Sequence, residues 1–175
     1  MKRIRIFLLI ASFMLLPGCS GQKALTAQDI DFVFSCKADV VSPNGNFTCA
    51  VNRAGRRDAS VAILSGSGSG LKWDWNGNGF HLTYLGLSAE SEACTLPDKS
   101  FASTLVDALD CAEQPDALKS VGDNVFSGSM DGSSFTVTAD GNTGEMRTLS
   151  VPSRGLTATF RNFGEPSFSS DSKSA

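Results

Sequence analysis

The chain has 175 residues, a net charge of −3 and a 41% share of apolar residues, which suits one folded domain and not a disordered chain. The first 18 residues hold three basic and no acidic side chains, so their removal leaves a net charge of −6. Such an acidic balance argues against binding to nucleic acid or to anionic lipid headgroups, both of which require a basic surface.

The N-terminus has the pattern of a bacterial lipoprotein signal. Three basic residues precede an apolar run over 6–16, which is shorter than the ~20 residues of a membrane-spanning helix and typical of a signal-peptide core. Leu16-Pro17-Gly18-Cys19 then resembles a lipobox, so we expect a signal peptide over 1–18 and covalent diacylglycerol and acyl groups, such as palmitate, on Cys19. The protein would then be extracytoplasmic and anchored to the cell membrane as a lipoprotein. The alternative is an ordinary signal peptide with a buried cysteine.

The rest of the chain divides into three parts. Residues 19–28 are expected to form the lipidated N-terminus and a tether with a short helical turn, 29–163 a folded domain, and 164–175 a Ser-rich, disordered tail. No later segment is apolar enough to span a membrane.

Alternating apolar and polar residues predict strands through most of the domain. The first two strands begin near Phe32 and Phe47, and the Asn44-Gly45 turn between them predicts that Cys49 lies opposite Val40. Seven more strands are predicted, at about 59–64, 71–75, 80–84, 124–130, 133–139, 146–151 and 155–163.

One helix interrupts the strands. Asp98 or Ser100 can cap it, an apolar stripe runs from Phe101 to Ala112, and Pro115 ends it. The pattern therefore predicts a mainly β (α+β) fold, an antiparallel meander with a helix inserted after the fifth strand on its concave side.

The cysteines leave the redox state open. Cys36, Cys49, Cys94 and Cys111 are even in number, which permits two disulfides in an exported chain. A Cys36–Cys49 bond requires a poor turn, and a Cys94–Cys111 bond requires a fully extended connector. Free, half-buried thiols are the remaining alternative.

Several motifs together resemble a known family. These are Trp73-Asp74-Trp75-Asn76-Gly77-Asn78-Gly79-Phe80, Tyr84-Leu85-Gly86-Leu87-Ser88, Ser100-Phe101-Ala102-Ser103-Thr104-Leu105 and Gly155-Leu156-Thr157-Ala158-Thr159-Phe160, after the lipobox. The set is similar to lipid-anchored lipoproteins of Firmicutes with the fold of the lipoprotein-localisation factors LolA and LolB. The resemblance implies an open half-barrel covered by a helix, and a non-enzymatic protein that binds an acyl chain, a lipid or a lipidated substrate.

The resemblance also implies a ligand-binding wall in the half-barrel cavity. Its members come from the strands and the helix: Trp73, Trp75, Phe80, Leu82, Tyr84, Phe101 and Leu105. The competing interpretation is ordinary core packing, since a sheet beneath a helix needs large apolar residues in any case. In that case the core is filled, and the protein recruits or regulates an envelope enzyme or assembly through its outer surface.

Other polar groups do not suggest chemistry. His81 is the one histidine and is predicted to lie at the surface. One histidine and scattered cysteines without a Cys-x-x-Cys motif do not make a typical zinc site, so no metal site is expected. Asp107 and Asp110 are interpreted as solvent-facing residues of the helix. The Ser-Gly repeat over 65–70 is interpreted as a flexible connector between strands, in a position that would allow a role at a cavity mouth. No catalytic constellation is present, and no cofactor is expected.

Overall fold

The computed structural model describes residues 24–91 and 100–164. Within them the chain forms eleven strands, one helix and two short 3₁₀ turns at Ala27–Asp29 and Pro152–Arg154. The strands and the helix are β1 (Phe34–Ser42), β2 (Gly45–Gly55), β3 (Asp58–Ser65), β4 (Lys72–Trp75), β5 (Phe80–Tyr84), β6 (Leu87–Ser91), α1 (Phe101–Ala112), β7 (Lys119–Gly122), β8 (Val125–Met130), β9 (Ser133–Ala139), β10 (Met146–Val151) and β11 (Leu156–Gly164).

All eleven strands belong to one open antiparallel sheet, in the order β6-β5-β4-β3-β2-β1-β11-β10-β9-β8-β7. This confirms the predicted mainly β fold, a half-barrel with an inserted helix. The sheet consists of two meanders joined at the centre, where the first and last strands pair. Helix α1 connects the two edge strands, β6 and β7, and so crosses the concave face.

The predicted position of the helix in the strand order and the register of the first hairpin were wrong. The helix follows the sixth strand and not the fifth, because the sequence did not predict β6. The strand after the helix, β7, was not predicted either. In the β1–β2 hairpin, Val40 pairs with Phe47 and Ala38 with Cys49, and Ser42 pairs with Gly45. The two-residue loop is therefore Pro43-Asn44, one residue earlier than the predicted turn.

The core lies between the concave face and α1. Nine of the twelve helix residues are buried: Phe101, Ala102, Ser103, Thr104, Leu105, Val106, Ala108, Leu109 and Ala112. The backbone of α1 approaches β8, β10 and β11, so the helix leans toward one half of the sheet. Aromatic side chains and one arginine span the wider gap to the other half.

Three cysteines among the described residues carry free thiols. Cys36 and Cys49 are buried and Cys111 is half-buried, while Cys94 lies outside the described residues. The predicted signal, Cys19 and the tail beyond residue 164 lie outside them as well. No helix in the described part of the chain is long and apolar enough to cross a membrane.

Candidate functional site: an apolar groove beside the helix N-terminus

A groove of about 590 Å³ lies between the N-terminus of α1 and strands β2 to β5. Its lining is mostly apolar and comes from the first hairpin, the β3–β4 connection, β4, β5 and the helix: Asn44, Phe47, Ile63, Ser67, Gly68, Leu71, Trp73, Leu82, Ser100 and Phe101. Its volume is within the range of small-molecule sites, about 300–1,000 Å³.

Three aromatic rings form the wall nearest the helix. The Phe101 ring stacks on Phe47, with centroids 4.7 Å apart, and meets Trp73 edge-on at 5.3 Å. Each of the three side chains is less than 10% exposed, so only a small part of each ring faces the groove. Because these rings are braced against one another, the groove is preformed and requires little ordering to accept a ligand.

The β3–β4 connection forms the outer lip. The hydroxyl of Ser69 donates to the Leu64 carbonyl, and the Gly70 amide donates to the Ile63 carbonyl. Gly66 has a φ of +108°, and a Cβ there would lie 2.7 Å from the Asn46 carbonyl oxygen. The glycine is needed for this close approach to β2, which holds the Ser-Gly segment at the groove.

The residues of the predicted wall fall into three groups. Trp73, Leu82 and Phe101 line the groove. Trp75, Phe80 and Leu105 are buried in the core, where the rings of Trp75 and Phe80 stack with centroids 4.7 Å apart. Tyr84 is 39% exposed at the end of β5 and does not line the groove. Phe47, Ile63 and Leu71 belong to the lining as well, although the sequence interpretation did not include them.

A buried ion-pair cluster closes the other end of the helix. The Arg53 side chain is fully buried, and its guanidinium donates to Asp110 at 2.8 Å, to Glu113 at 2.6 Å and to the Phe32 carbonyl at 2.7 Å. It also lies 5.7 Å from the centroid of the Phe32 ring. Because Asp110 and Glu113 are one turn apart at the C-terminus of α1, this cation offsets their unfavourable interaction with the helix dipole.

The prediction that Asp107 and Asp110 face solvent was wrong, because both residues are half-buried. Asp110 also accepts hydrogen bonds from the Arg57 amide and from Nε1 of Trp75, both at 3.2 Å. Burial raises the pKa of Asp107 to about 6, with Arg154 opposing the shift and Asp110 adding to it. Desolvation outweighs the attraction of Arg154, so the environment of Asp107 disfavours its charged form.

A larger and more polar depression, of about 730 Å³, lies at the C-terminal end of α1. Ile30, Phe32 and Leu118 line it together with the carboxylates of Glu113 and Asp116. We favour the groove as the ligand site, because the carboxylates would be costly to desolvate against an apolar ligand.

The described residues hold no group of three His, Cys, Asp or Glu side chains that could bind a metal ion. His81 lies in β5 opposite Glu90, and its imidazole Nδ1 is 3.7 Å from the Glu90 carboxylate, with the His81 side chain 44% exposed.

The comparisons with known proteins find similarity among solved structures. No family model matches the chain, and no curated protein matches it. Among solved structures, the chain is similar to a LolA superfamily protein, NE2245 from Nitrosomonas europaea, with 8% identity and a TM-score of 0.43 over 83% of this chain and 96% of that chain.

Proposed function

We propose that this protein is a lipid-anchored, non-enzymatic envelope lipoprotein that binds an acyl chain or a lipidated substrate in the groove beside the helix N-terminus. The observation that supports this function best is the preformed apolar lining around Phe47, Trp73 and Phe101. Membrane attachment rests on the lipobox and on Cys19.

The groove is large enough for useful affinity. Burying ten methylenes of a chain contributes about 8 kcal/mol, at about 0.8 kcal/mol each. Part of this is offset by the loss of translational freedom and by ordering of the chain, which together cost about 4–15 kcal/mol. Ten methylenes would therefore give at best a dissociation constant of about 1 mM. Micromolar binding requires about 15 buried methylenes at the lowest of these costs, which the volume of the groove allows.

The test is native mass spectrometry of residues 20–175, which contain every described element of the fold. The protein is purified without detergent, and co-purified lipid is extracted and identified. Leu82→Gln should lower ligand occupancy severalfold, because Leu82 is a half-buried residue of the lining. Leu87→Gln is the matched control, because Leu87 is 74% exposed and outside the groove. A clean apo mass and no uptake of added lipid would contradict the proposal.

A second function, recruitment of an envelope protein, is favoured by one surface feature. The β5–β6 hairpin exposes 39% of Tyr84, 79% of Leu85 and 74% of Leu87. Exposed clusters of large apolar residues often mark protein interfaces. In cross-linking on intact cells, this function predicts an adduct that Leu87→Gln removes and Leu82→Gln preserves.

A further inference from the structure

We propose that the groove accepts a single-chain amphiphile with an uncharged headgroup. This inference rests on the proposed function, since it names the class of ligand that the same groove would take. Two observations support it, one on the number of acyl chains and one on the headgroup.

The volume of the groove is sufficient for one acyl chain. A methylene takes up roughly as much space as a water molecule, about 30 Å³ in the liquid. At that size, 590 Å³ has room for about 20 methylenes, which is one acyl chain of membrane length.

Within the part of the chain that the structure describes, the groove has no interior extension for a second chain. Leu105, Val106 and Leu109 of α1, farther along the helix, are at most 1% exposed, so the space between helix and sheet is filled by side chains there. A second chain would remain in water, where its methylenes gain nothing from the protein.

The polar part of the lining is uncharged. Asn44, Ser67 and Ser100 supply an amide and two hydroxyl groups, and none of the ten described residues of the lining is ionisable. A hydroxyl or ester headgroup finds donors and acceptors here. A carboxylate or phosphate finds no cation among these residues, and the net negative charge of the chain repels it at short range.

The chain's two tryptophans provide a site-specific assay. Trp73 lines the groove and Trp75 does not. In Trp75→Phe, the fluorescence of Trp73 should therefore change when a ligand binds, whereas the remaining tryptophan of Trp73→Phe should not respond. Each variant is first checked for a folded far-UV spectrum. Three probes are titrated into residues 20–175 below their aggregation limits: monopalmitoylglycerol, palmitate and dipalmitoylglycerol.

The expected result is saturation by monopalmitoylglycerol at one molecule per chain. Palmitate should bind at least threefold more weakly at pH 8, and dipalmitoylglycerol should not displace the bound monoacyl ligand. Ser67→Lys places a cation at the exposed rim and should strengthen palmitate binding by up to about fivefold, the range of a surface ion pair. The same variant should raise the ratio of palmitate affinity to monopalmitoylglycerol affinity, because the neutral headgroup gains no ion pair.

The other outcomes separate this inference from the proposed function. If dipalmitoylglycerol binds as well as the monoacyl probe, or palmitate binds as well as the neutral one, the inference is overturned while acyl-chain binding stands. If none of the three probes binds and no lipid co-purifies, both fall.

Discussion

Replacing Asp110 with alanine is expected to destabilise the fold strongly. Its carboxylate accepts hydrogen bonds from Arg53, from the Arg57 amide and from Trp75 Nε1. A hydrogen bond to a charged group contributes about 1.5–3 kcal/mol, and leaving the buried Trp75 N–H unpaired costs about 1–3 kcal/mol. In this variant Arg53 retains its ion pair with Glu113, so its buried charge is still neutralised. The free energy of unfolding should therefore fall by about 3–5 kcal/mol.

Glu113→Ala is the matched comparison. Glu113 makes one described bond, to Arg53, and its side chain is 28% exposed, so its loss should cost about 1–2 kcal/mol. The double variant leaves the fully buried Arg53 without a carboxylate, and its cost should exceed the sum of the two single changes by about 1–3 kcal/mol.

The assay for these variants is urea unfolding at pH 7, followed by far-UV circular dichroism with the m-values compared between variants. A cost for Asp110→Ala equal to or below that of Glu113→Ala would refute the reasoning. A loss of unfolding free energy in the double variant equal to the sum of the two single losses would also refute it. Such additivity would mean that Arg53 does not need at least one of the two carboxylates.

Three further predictions concern other parts of the fold. Since Asp107 has a raised pKa of about 6 and an unfolded Asp titrates near ~4, the folded protein loses stability as pH rises through that window. Asp107→Asn should therefore gain about 1 kcal/mol relative to wild type between pH 4 and pH 8, after allowance for partial exposure, and a pH-independent difference in Tm would contradict this. Burial raises the pKa of Cys36 and Cys49 to about 12. At pH 8, iodoacetamide should therefore modify these two thiols only when the protein unfolds, and more slowly than the half-buried Cys111. Equal modification rates for the three cysteines, measured by peptide mass spectrometry, would contradict this prediction. Leu85 is exposed with a φ of +50°, so Leu85→Asn should raise the free energy of unfolding by roughly 1 kcal/mol, and a loss of stability would count against that account.

The sequence predicted strands well where one face is buried and the other is exposed. β9 and β10 have the predicted bounds. The buried residues of β9 alternate cleanly, whereas an irregularity between Met146 and Thr148 interrupts the alternation of β10. β7 is exposed along its whole length, and β6 follows a Leu85-Gly86 turn that lacks the usual Asn or Asp. Neither strand therefore has the alternation on which the prediction depended. The wrong register of β1 and β2 was shifted by two residues, which leaves every side chain on its correct face.

The candidate site was predicted only in part, because its lining depends on side chains from several elements. The resemblance implied a wall that includes Trp73 and Leu82, but strand alternation assigns Trp75 and Phe80 to the same face and cannot separate a groove wall from the core. Arg53 was missed as a buried residue. The available signal was its position, since it continues the inward series of Phe47, Cys49 and Val51 along β2.

The position of the helix, closer to one half of the sheet than to the other, explains why the groove lies at the N-terminal end of α1. Because α1 packs closely on β8, β10 and β11, the gap to the other half of the sheet must be filled by long or wide side chains. At the C-terminal end of the helix, Arg53 reaches across and is held by two carboxylates. At the N-terminal end, Phe47, Trp73 and Phe101 meet one another, but the Ser-Gly connection beyond them has no side chain large enough to complete the packing. The unfilled volume is therefore apolar within and uncharged at its rim, and these are the properties on which the proposed selectivity depends.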